Sequence, residues 1–395
     1  MNYTALVIFL LVAALVEWGA YMAVRGFFPS NGVGFWIYLG ITLVSYLLML
    51  SYPFVGKDLR FPLINLFFIL FLGKFLAALF VTLGLGANKL VETVYSASEI
   101  SQSRRDFIKK TSALIGLVPV GLMTWGIFRT AGNFKIHRVK LTLPKLPASF
   151  RGLRIVQISD IHTGSFFSKE RMEEAIAEIA RQQPDMVIFS GDLVNNRSDE
   201  CLPYMDILSK IKAPMGVYST LGNHDYGDYE PWPSKEDKIK NFQEMLDIHK
   251  NLGWQLLMNE NRIFERNGEK IALLGVENWG ANLRFPKYGK MKEAYLGTED
   301  VPVKILISHD PSHWEAEVLK EYPDIDLMVA GHTHGFQFGV EIPGIKWSPS
   351  QWVYKQWAGL YEDAGRYLYV NRGLGCIGYM GRVGIRPEIT VFELV

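Results

Sequence analysis

The first 130 residues hold four long stretches with no polar face. Residues 3–24 carry Glu17 as their one charge, residues 35–54 carry none, residues 61–85 carry only Lys74, and residues 111–128 carry none. Each reaches the ~18 apolar residues that a helix needs to cross a bilayer. One such run alone would fit a buried core helix. Four in series, joined by short polar links, predict four transmembrane helices. Beyond Phe128 the apolar runs shorten. Ile136, Arg138, Lys140 and Thr142 alternate with Val139 and Leu141, which predicts an edge strand ended by Pro144 and Pro147. Further strands are expected at 153–159, 186–190, 216–220, 254–257, 261–266, 270–276, 303–308, 327–330, 367–371 and 388–394. Helices are expected at 169–182, 202–211, 240–252 and 314–321. Strands alternating with helices, then hairpin-like strands, predict an α/β layered sandwich after the four apolar helices. The expected domains are 1–130 for the helices, 131–152 for a linker and edge strand, and 153–395 for the sandwich.

Charge adds orientation. Glu17 and Lys74 either pair inside the helix bundle or snorkel separately to an interface. Lys89, Arg104, Arg105, Lys109 and Lys110 lie between the third and fourth apolar runs, and Arg25 between the first two. The other side has only Lys57 and Arg60 in its short loop. The basic side is expected in the cytoplasm, which places both termini and everything after Phe128 outside it. Residues 103–109, with paired Arg104 and Arg105, Phe107 and Lys109 before an apolar run, resemble a twin-arginine export signal. They read equally well as a basic flank of the fourth helix. No small-residue cleavage site follows Phe128, so the anchor is expected to stay. The net charge of +1 gives no global field for a nucleic-acid polymer. Cys201 and Cys376 are too few for a disulfide framework or a thiolate metal site. They read as buried free thiols, or as a single bridge in an oxidising compartment.

The chemistry concentrates at five places. Asp160-Ile161-His162, Gly191-Asp192, Gly222-Asn223-His224-Asp225, Ser308-His309-Asp310 and Gly331-His332-Thr333-His334 each follow an expected strand and hold five of the eight histidines. Open α/β sheets bind ligands at such strand ends. In extended backbone a spacing of two puts side chains on one face, so Asp160 and His162 are expected to grip one ion and His332 and His334 to flank two. Gly191, Gly222 and Gly331 allow close backbone approach. The donor set of imidazoles, carboxylates and one amide, without thiolate, suits Mn, Fe or Zn better than Ca or Mg. Two such ions bridged by one carboxylate would lie about 3.5–4 Å apart.

These clusters, D-x-H, G-D, G-N-H-D, H and G-H-x-H in order over residues 153–334, resemble the calcineurin-like metallophosphoesterase superfamily. The resemblance implies a metal-dependent phosphoric ester hydrolase with two divalent ions. Asp160, His162, Asp192 and His334 would hold the first ion, and Asp192, Asn223, His309 and His332 the second. His224 would act on the leaving group and Asp225 would support it, unless Asp225 only caps its own loop. A metal-bridging hydroxide would attack phosphorus in line. Asn195 and Asn196 stand where protein serine/threonine phosphatases of the family carry aspartate and arginine, which lowers a phosphoprotein substrate. Residues 143–160 and 371–393 resemble a bacterial membrane-linked or exported branch, some of whose relatives cleave lipid-linked pyrophosphates. The expected protein is therefore a multi-pass enzyme of a bacterial inner membrane, with its catalytic domain extracytoplasmic. Its partners would be a lipid- or envelope-linked phosphoester, the membrane and, under one reading of Arg104-Arg105, the twin-arginine machinery. A broad nucleotide phosphodiesterase and a non-catalytic phosphate sensor are the rival readings. Tyr226, Tyr229, Trp232, Trp279, Phe285, Tyr288, His313 and Trp314 are candidate rim residues, or plain loop anchors. Arg372, Arg382 and Arg386 are candidate phosphate partners, or surface charges.

Overall fold

The computed structural model describes residues 3–28, 32–95, 102–166, 168–282 and 285–395. They form two compact units, Met1–Ile127 and Phe128–Val395. The first unit contains α1 (Tyr3–Val24), α2 (Val33–Ser51), α3 (Lys57–Tyr95) and α4 (Gln102–Trp125). All four are long and apolar enough to cross a membrane. α3 packs on α1, α2 and α4. Small residues allow this: a Cβ on Gly116 would stand 2.5 Å from the Gly73 carbonyl oxygen, and one on Gly19 would stand 2.6 Å from Ala78 Cβ. Glu17 and Lys74 pair. Lys74 Nζ lies 2.8 Å from Glu17 Oε1 and donates to Thr42 Oγ1 at 2.9 Å, while Tyr38 donates to Glu17 Oε2 at 2.6 Å. Polar heads that meet between three helices satisfy one another, so snorkelling does not apply. Residues 103–109 lie in the first turns of α4, where Arg105 sits 3.7 Å from Glu92.

The second unit is built from β1 (Lys135–Leu141), β2 (Arg154–Ile158), β3 (Met186–Ser190), β4 (Val217–Thr220), β5 (Gln255–Leu256), β6 (Glu260–Arg266), β7 (Glu269–Gly275), β8 (Lys304–Ile307) and β9 (Leu327–Ala330). A hairpin of β10 (Val340–Ile342) and β11 (Ile345–Trp347) follows, then β12 (Gly359–Asp363), β13 (Arg366–Val370) and β14 (Glu388–Leu394). Two six-stranded sheets result, ordered β1-β14-β2-β3-β4-β5 and β12-β13-β9-β8-β7-β6. β1 is indeed an edge, but it pairs along its whole length with β14, so residues 135–141 belong to the domain rather than to a linker. Ile155, Ile188 and Phe392 of one sheet meet Ile305, Leu327 and Val329 of the other in a shared core. Each such buried aliphatic contributes about 1.5–3 kcal/mol. α5 (Lys169–Arg181), α6 (Met205–Leu208) and α7 (Lys235–Leu252) lie over the first sheet, with Met172, Leu208 and Met245 in its outer core.

Three of the four helices expected in this second unit differ from what forms. Residues 202–211 are no continuous helix: Ser198–Tyr204 is a 3₁₀ stretch with Pro203 inside it, and only α6 follows. Proline there has no N–H to give an α-helical ladder. α7 starts five residues early because Ser234 Oγ accepts the Asp237 N–H at 3.0 Å. Residues 314–321 form a π-type turn and one short helical turn. Cys201 and Cys376 are buried free thiols.

Behind β13 and β14, Glu388 is fully buried and takes hydrogen bonds from Arg372, Tyr369 and Thr390. Burial alone would raise its carboxyl, but the Arg372 charge outweighs that and holds it at about 2. The unfolded value is about 4.3. The folded value is depressed, so the pair stabilises the fold fully above about pH 4.3 and loses this as pH falls towards 2. Glu388→Gln is expected to destabilise the protein by about 3–5 kcal/mol at pH 7. The gap to wild type should narrow as pH falls below about 4.3. Thermal unfolding of the detergent-solubilised protein across this range checks it; a gap that stays constant would refute it.

Candidate metal centre

β2, β3 and β4 run parallel, as do β7, β8 and β9. Five strand ends therefore deliver their loops to one place. There the backbone does something an extended reading misses. Asp160, His162, Asp192, His332 and His334 all have positive φ, between 46° and 71°. The spacing-of-two argument is thus corrected: the side chains converge because each residue sits in a left-handed bend. Such conformations cost about 1–3 kcal/mol each and must be held by their surroundings. They are: Asp160 N–H donates to Gly191 O at 2.9 Å, His162 N–H to Asp192 O at 3.2 Å, and His332 N–H to Asp160 Oδ1 at 3.0 Å. Two of the glycines are sterically required. A Cβ on Gly331 would stand 1.9 Å from Ser159 Oγ, and one on Gly222 would stand 2.2 Å from Asp192 Oδ1.

Two groups of donors result. Asp160, His162 and His334 offer ligand atoms within 4.8 Å of one another, and so do Asp192, His309 and His332. Asp192 also reaches the first group: its Oδ2 lies 3.5 Å from His162 Nε2 and 3.1 Å from His309 Nε2. The outer nitrogens of two imidazoles are fixed by carbonyls, His162 Nδ1 at 3.0 Å from Val194 O and His309 Nδ1 at 2.7 Å from Ser190 O. Carbonyls only accept, so both Nδ1 atoms carry a proton and Nε2 is the atom left for a metal. At His309 burial works downward, but the Asp192 carboxylate outweighs it and raises the ring to about 10, so an ion there would displace the Nε2 proton. Burial pushes His162 down to about 3, which favours the neutral ligand form. Burial also works to raise Asp160, but the charge and hydrogen bond of His334 outweigh it and hold the carboxyl well below its usual range. Asn223 supplies the sharpest test of fit. Its Nδ2 donates to Tyr229 OH at 3.0 Å, while its Oδ1 is buried without a hydrogen-bond partner. A buried amide oxygen beside imidazoles and carboxylates is a ligand for a hard or borderline cation. The residues present fit a pair of divalent ions.

His224 belongs to neither group. Its Nδ1 donates to Asn195 O at 2.6 Å, and the ring faces the same cavity as Asp192, Asn223 and His332. Asp225 makes no hydrogen bond to His224. Its carboxylate takes the N–H groups of Asp192, Leu193, Val194 and Gly222, so it ties the Gly-Asp loop to the Gly-Asn-His-Asp loop. Two residues near the site escape the sequence patterns. Glu200 accepts the N–H groups of Asn195, Asn196 and Arg197, which shapes the loop whose carbonyl holds His224. Tyr354 OH lies 2.7 Å from His332 Nε2.

The cavity beside the two groups measures about 450 Å³, and Phe285, Phe336, Phe338, Pro349, Ile377 and Tyr379 line it. Of the candidate rim aromatics, Phe285 meets His332 edge-on at 4.6 Å and Tyr229 lies 4.7 Å from His224. Tyr226 is buried and stacks on Phe242, Trp232 donates to Gly227 O, Tyr288 to Asp228, Trp279 stacks on His313, and Trp314 is core. These anchor loops. His313 is held by Ser308 and Glu317. Of the three candidate phosphate arginines, Arg372 and Arg386 are engaged elsewhere, and Arg382 backs the site, its Nη2 3.3 Å from His334 Nδ1. Arg372 pairs with Glu388 and Glu341, Arg382 donates to the carbonyls of Arg372, Gly373 and Gly375, and Arg386 binds Asn133 and Phe134 O.

A layered α/β domain with buried Asp/His groups at its strand ends, carried by four membrane-capable helices, defines a membrane-associated metallophosphoesterase. Residues 153–336 match the family model "Calcineurin-like phosphoesterase", and residues 2–131 match "Probable Calcineurin-like phosphoesterase, transmembrane domain". A Bacillus subtilis protein, "Uncharacterized metallophosphoesterase YkuE", is 31% identical over 74% of this chain and 97% of its own. A Danio rerio "Transmembrane protein with metallophosphoesterase domain" is 30% identical over 77% of this chain and 66% of its own. The Chlamydia muridarum "UDP-2,3-diacylglucosamine pyrophosphatase LpxG" is 25% identical over 68% of this chain and 92% of its own. The chain belongs to the calcineurin-like phosphoesterase family and is a hydrolase of that class.

Proposed function

We propose that the protein is a membrane-anchored phosphoesterase with two divalent ions sharing Asp192, acting on a phosphoester or pyrophosphate attached to a lipid or envelope molecule. The observation that carries this reading is the cavity itself: one wall is Asp192, Asn223, His224 and His332, and the rest is largely apolar. A lipid-linked phosphate brings acyl surface to such a wall, whereas a soluble nucleotide offers it one base to stack. The two ions, when bound, would supply Lewis acidity and positive charge towards the phosphoryl oxygens. The chain's own residues do the rest. Asp160, His162 and His334 hold one position and Asn223, His309 and His332 the other. His224, fixed through Nδ1 by Asn195 O, presents Nε2 to the leaving-group oxygen and delivers a proton there. Asp225 and Glu200 are positioning residues that lock the loops beneath it. By the excess of Lys and Arg on one side, the domain stands outside the cytoplasm of a bacterial inner membrane, with Arg104 and Arg105 as the basic flank of the fourth span. Protease accessibility in spheroplasts tests the orientation, and full protection of the domain would overturn it.

The test of function is metal analysis of the purified full-length protein, followed by hydrolysis assays on lipid-linked pyrophosphates, phospholipids and a soluble aryl phosphodiester. Two ions per chain and the highest kcat/KM on a lipid substrate are expected. A fully metallated protein without hydrolysis of any of these would sink the reading. Tyr229→Phe probes the Asn223 position separately. Without the Tyr229 oxygen the amide of Asn223 is free to turn. Affinity for the second ion is expected to fall about 10–100-fold, with the first unchanged, as read by calorimetric metal titration.

A further inference from the structure

The β10–β11 hairpin is inverted relative to an ordinary surface hairpin. Its register pairs Val340 with Trp347, Glu341 with Lys346, and Ile342 with Ile345. Side chains alternate along strands, so Val340, Ile342, Ile345 and Trp347 share one face and Glu341 and Lys346 the other. The charged face is tied to the domain, with Lys346 still part exposed. Glu341 pairs with Arg372 at 2.7 Å, and Lys346 donates to Ala358 O with its ammonium 4.9 Å over the Trp357 ring. The apolar face points outward, with Ile342 55% and Ile345 54% exposed. The following turn adds Trp352 and Val353, at 74% and 56% exposed, and Trp347 meets Trp352 edge-on at 5.9 Å. With Phe336 and these neighbours, seven of the fifteen exposed large apolar side chains described between residues 131 and 395 fall in residues 336–353. Scattered exposed apolar residues need no explanation, but a continuous face does.

We infer that this hairpin face is a lipid-docking surface that seats in the headgroup region of the bilayer spanned by the same chain. Two observations favour lipid over a protein partner. Only residues 131–134 separate the helical turn ending at Thr130 from β1, a tether of about 14 Å at full extension. The domain is thus held at a membrane surface at all times. The composition also fits an interface: branched aliphatics flanked by two tryptophans, with no charge among the side chains of the apolar face. The hairpin adjoins the cavity, since Phe338 before β10 and Pro349 after β11 both line it. A lipid-borne group entering the cavity from that side would cross no aqueous gap.

The test needs no catalysis, so its failure is separable from failure of the proposed function. Both native cysteines are buried. A single cysteine introduced by Ile345→Cys therefore takes an environment-sensitive fluorophore selectively. Ile239→Cys, on α7 at 68% exposed, is the reference. The full-length protein is reconstituted in vesicles of phosphatidylethanolamine and phosphatidylglycerol, with or without brominated acyl chains. The Ile345 label is expected to be blue-shifted, quenched several-fold by brominated lipid and shielded from iodide, whereas the Ile239 label is quenched by iodide alone. Two results would overturn the inference. One is an Ile345 label that behaves like the reference. The other is a label shielded from both quenchers that transfers energy between differently labelled copies, which would make the face a self-association surface.

Discussion

Asp192→Ala is expected to remove both metal positions at once and to lower kcat/KM by at least ~10³-fold. The side chain stands between the two groups, 3.5 Å from His162 Nε2 and 3.1 Å from His309 Nε2. Its Oδ1 also accepts the backbone N–H of His224 at 2.9 Å, so the same carboxylate fixes the loop that carries the proposed acid. Metal-ion catalysis supplies several kcal/mol of transition-state stabilisation, and about 1.4 kcal/mol is tenfold in rate. Loss of the shared ligand should therefore register in two independent measurements: ions bound per chain by elemental analysis, and kcat/KM on any substrate the wild type cleaves. A variant that keeps two ions and works within tenfold of wild type would refute a shared Asp192.

His224→Ala is expected to behave differently. The residue lies outside both donor groups, so metal content should stay at the wild-type level. A positioned general acid contributes about 10²–10⁴-fold, and its value depends on how much the leaving group needs a proton. An alkyl or sugar phosphoester, whose alkoxide leaves poorly, should lose the full factor. A nitrophenyl ester, whose phenolate leaves unaided, should lose far less. Equal losses on both substrates would mean that His224 positions the substrate rather than delivering a proton.

The site was legible in the sequence because it is made of residue types that carry chemistry and that sit where strands end. Asp160, His162, Asp192, Asn223, His309, His332 and His334 lie together in the structure, with His224 beside them. The mechanism of convergence was not legible. Positive φ at Asp160 or His332 is imposed by hydrogen bonds from other loops, and no local pattern of non-glycine residues announces it. Glu200 and Tyr354 belong to no catalytic motif: Glu200 acts locally, closing a capping box whose N-cap is Arg197 rather than Ser or Thr, and Tyr354 reaches a ring far along the chain. The arginines show the opposite error. Near a phosphate site a late Arg looks like a ligand, yet Arg372 and Arg382 are buried and bind a carboxylate and carbonyls. The long apolar helices were read correctly in kind because length and composition decide them. The hairpin was missed because three-residue strands fall below what alternation can show.

The Glu17–Lys74 contact also constrains how the protein is made. The partners are 57 residues apart in the chain. Either charge alone at a helix centre costs about 2.5–3.5 kcal/mol on insertion scales. At a synthesis rate of about 5–20 residues per second, Glu17 precedes Lys74 by roughly 3–11 s. During that interval the carboxylate has hydrogen-bond donors on the second helix, Tyr38 and Thr42, but no counter-charge. The ion pair is therefore the last part of this polar cluster to close, once the third helix joins the first two.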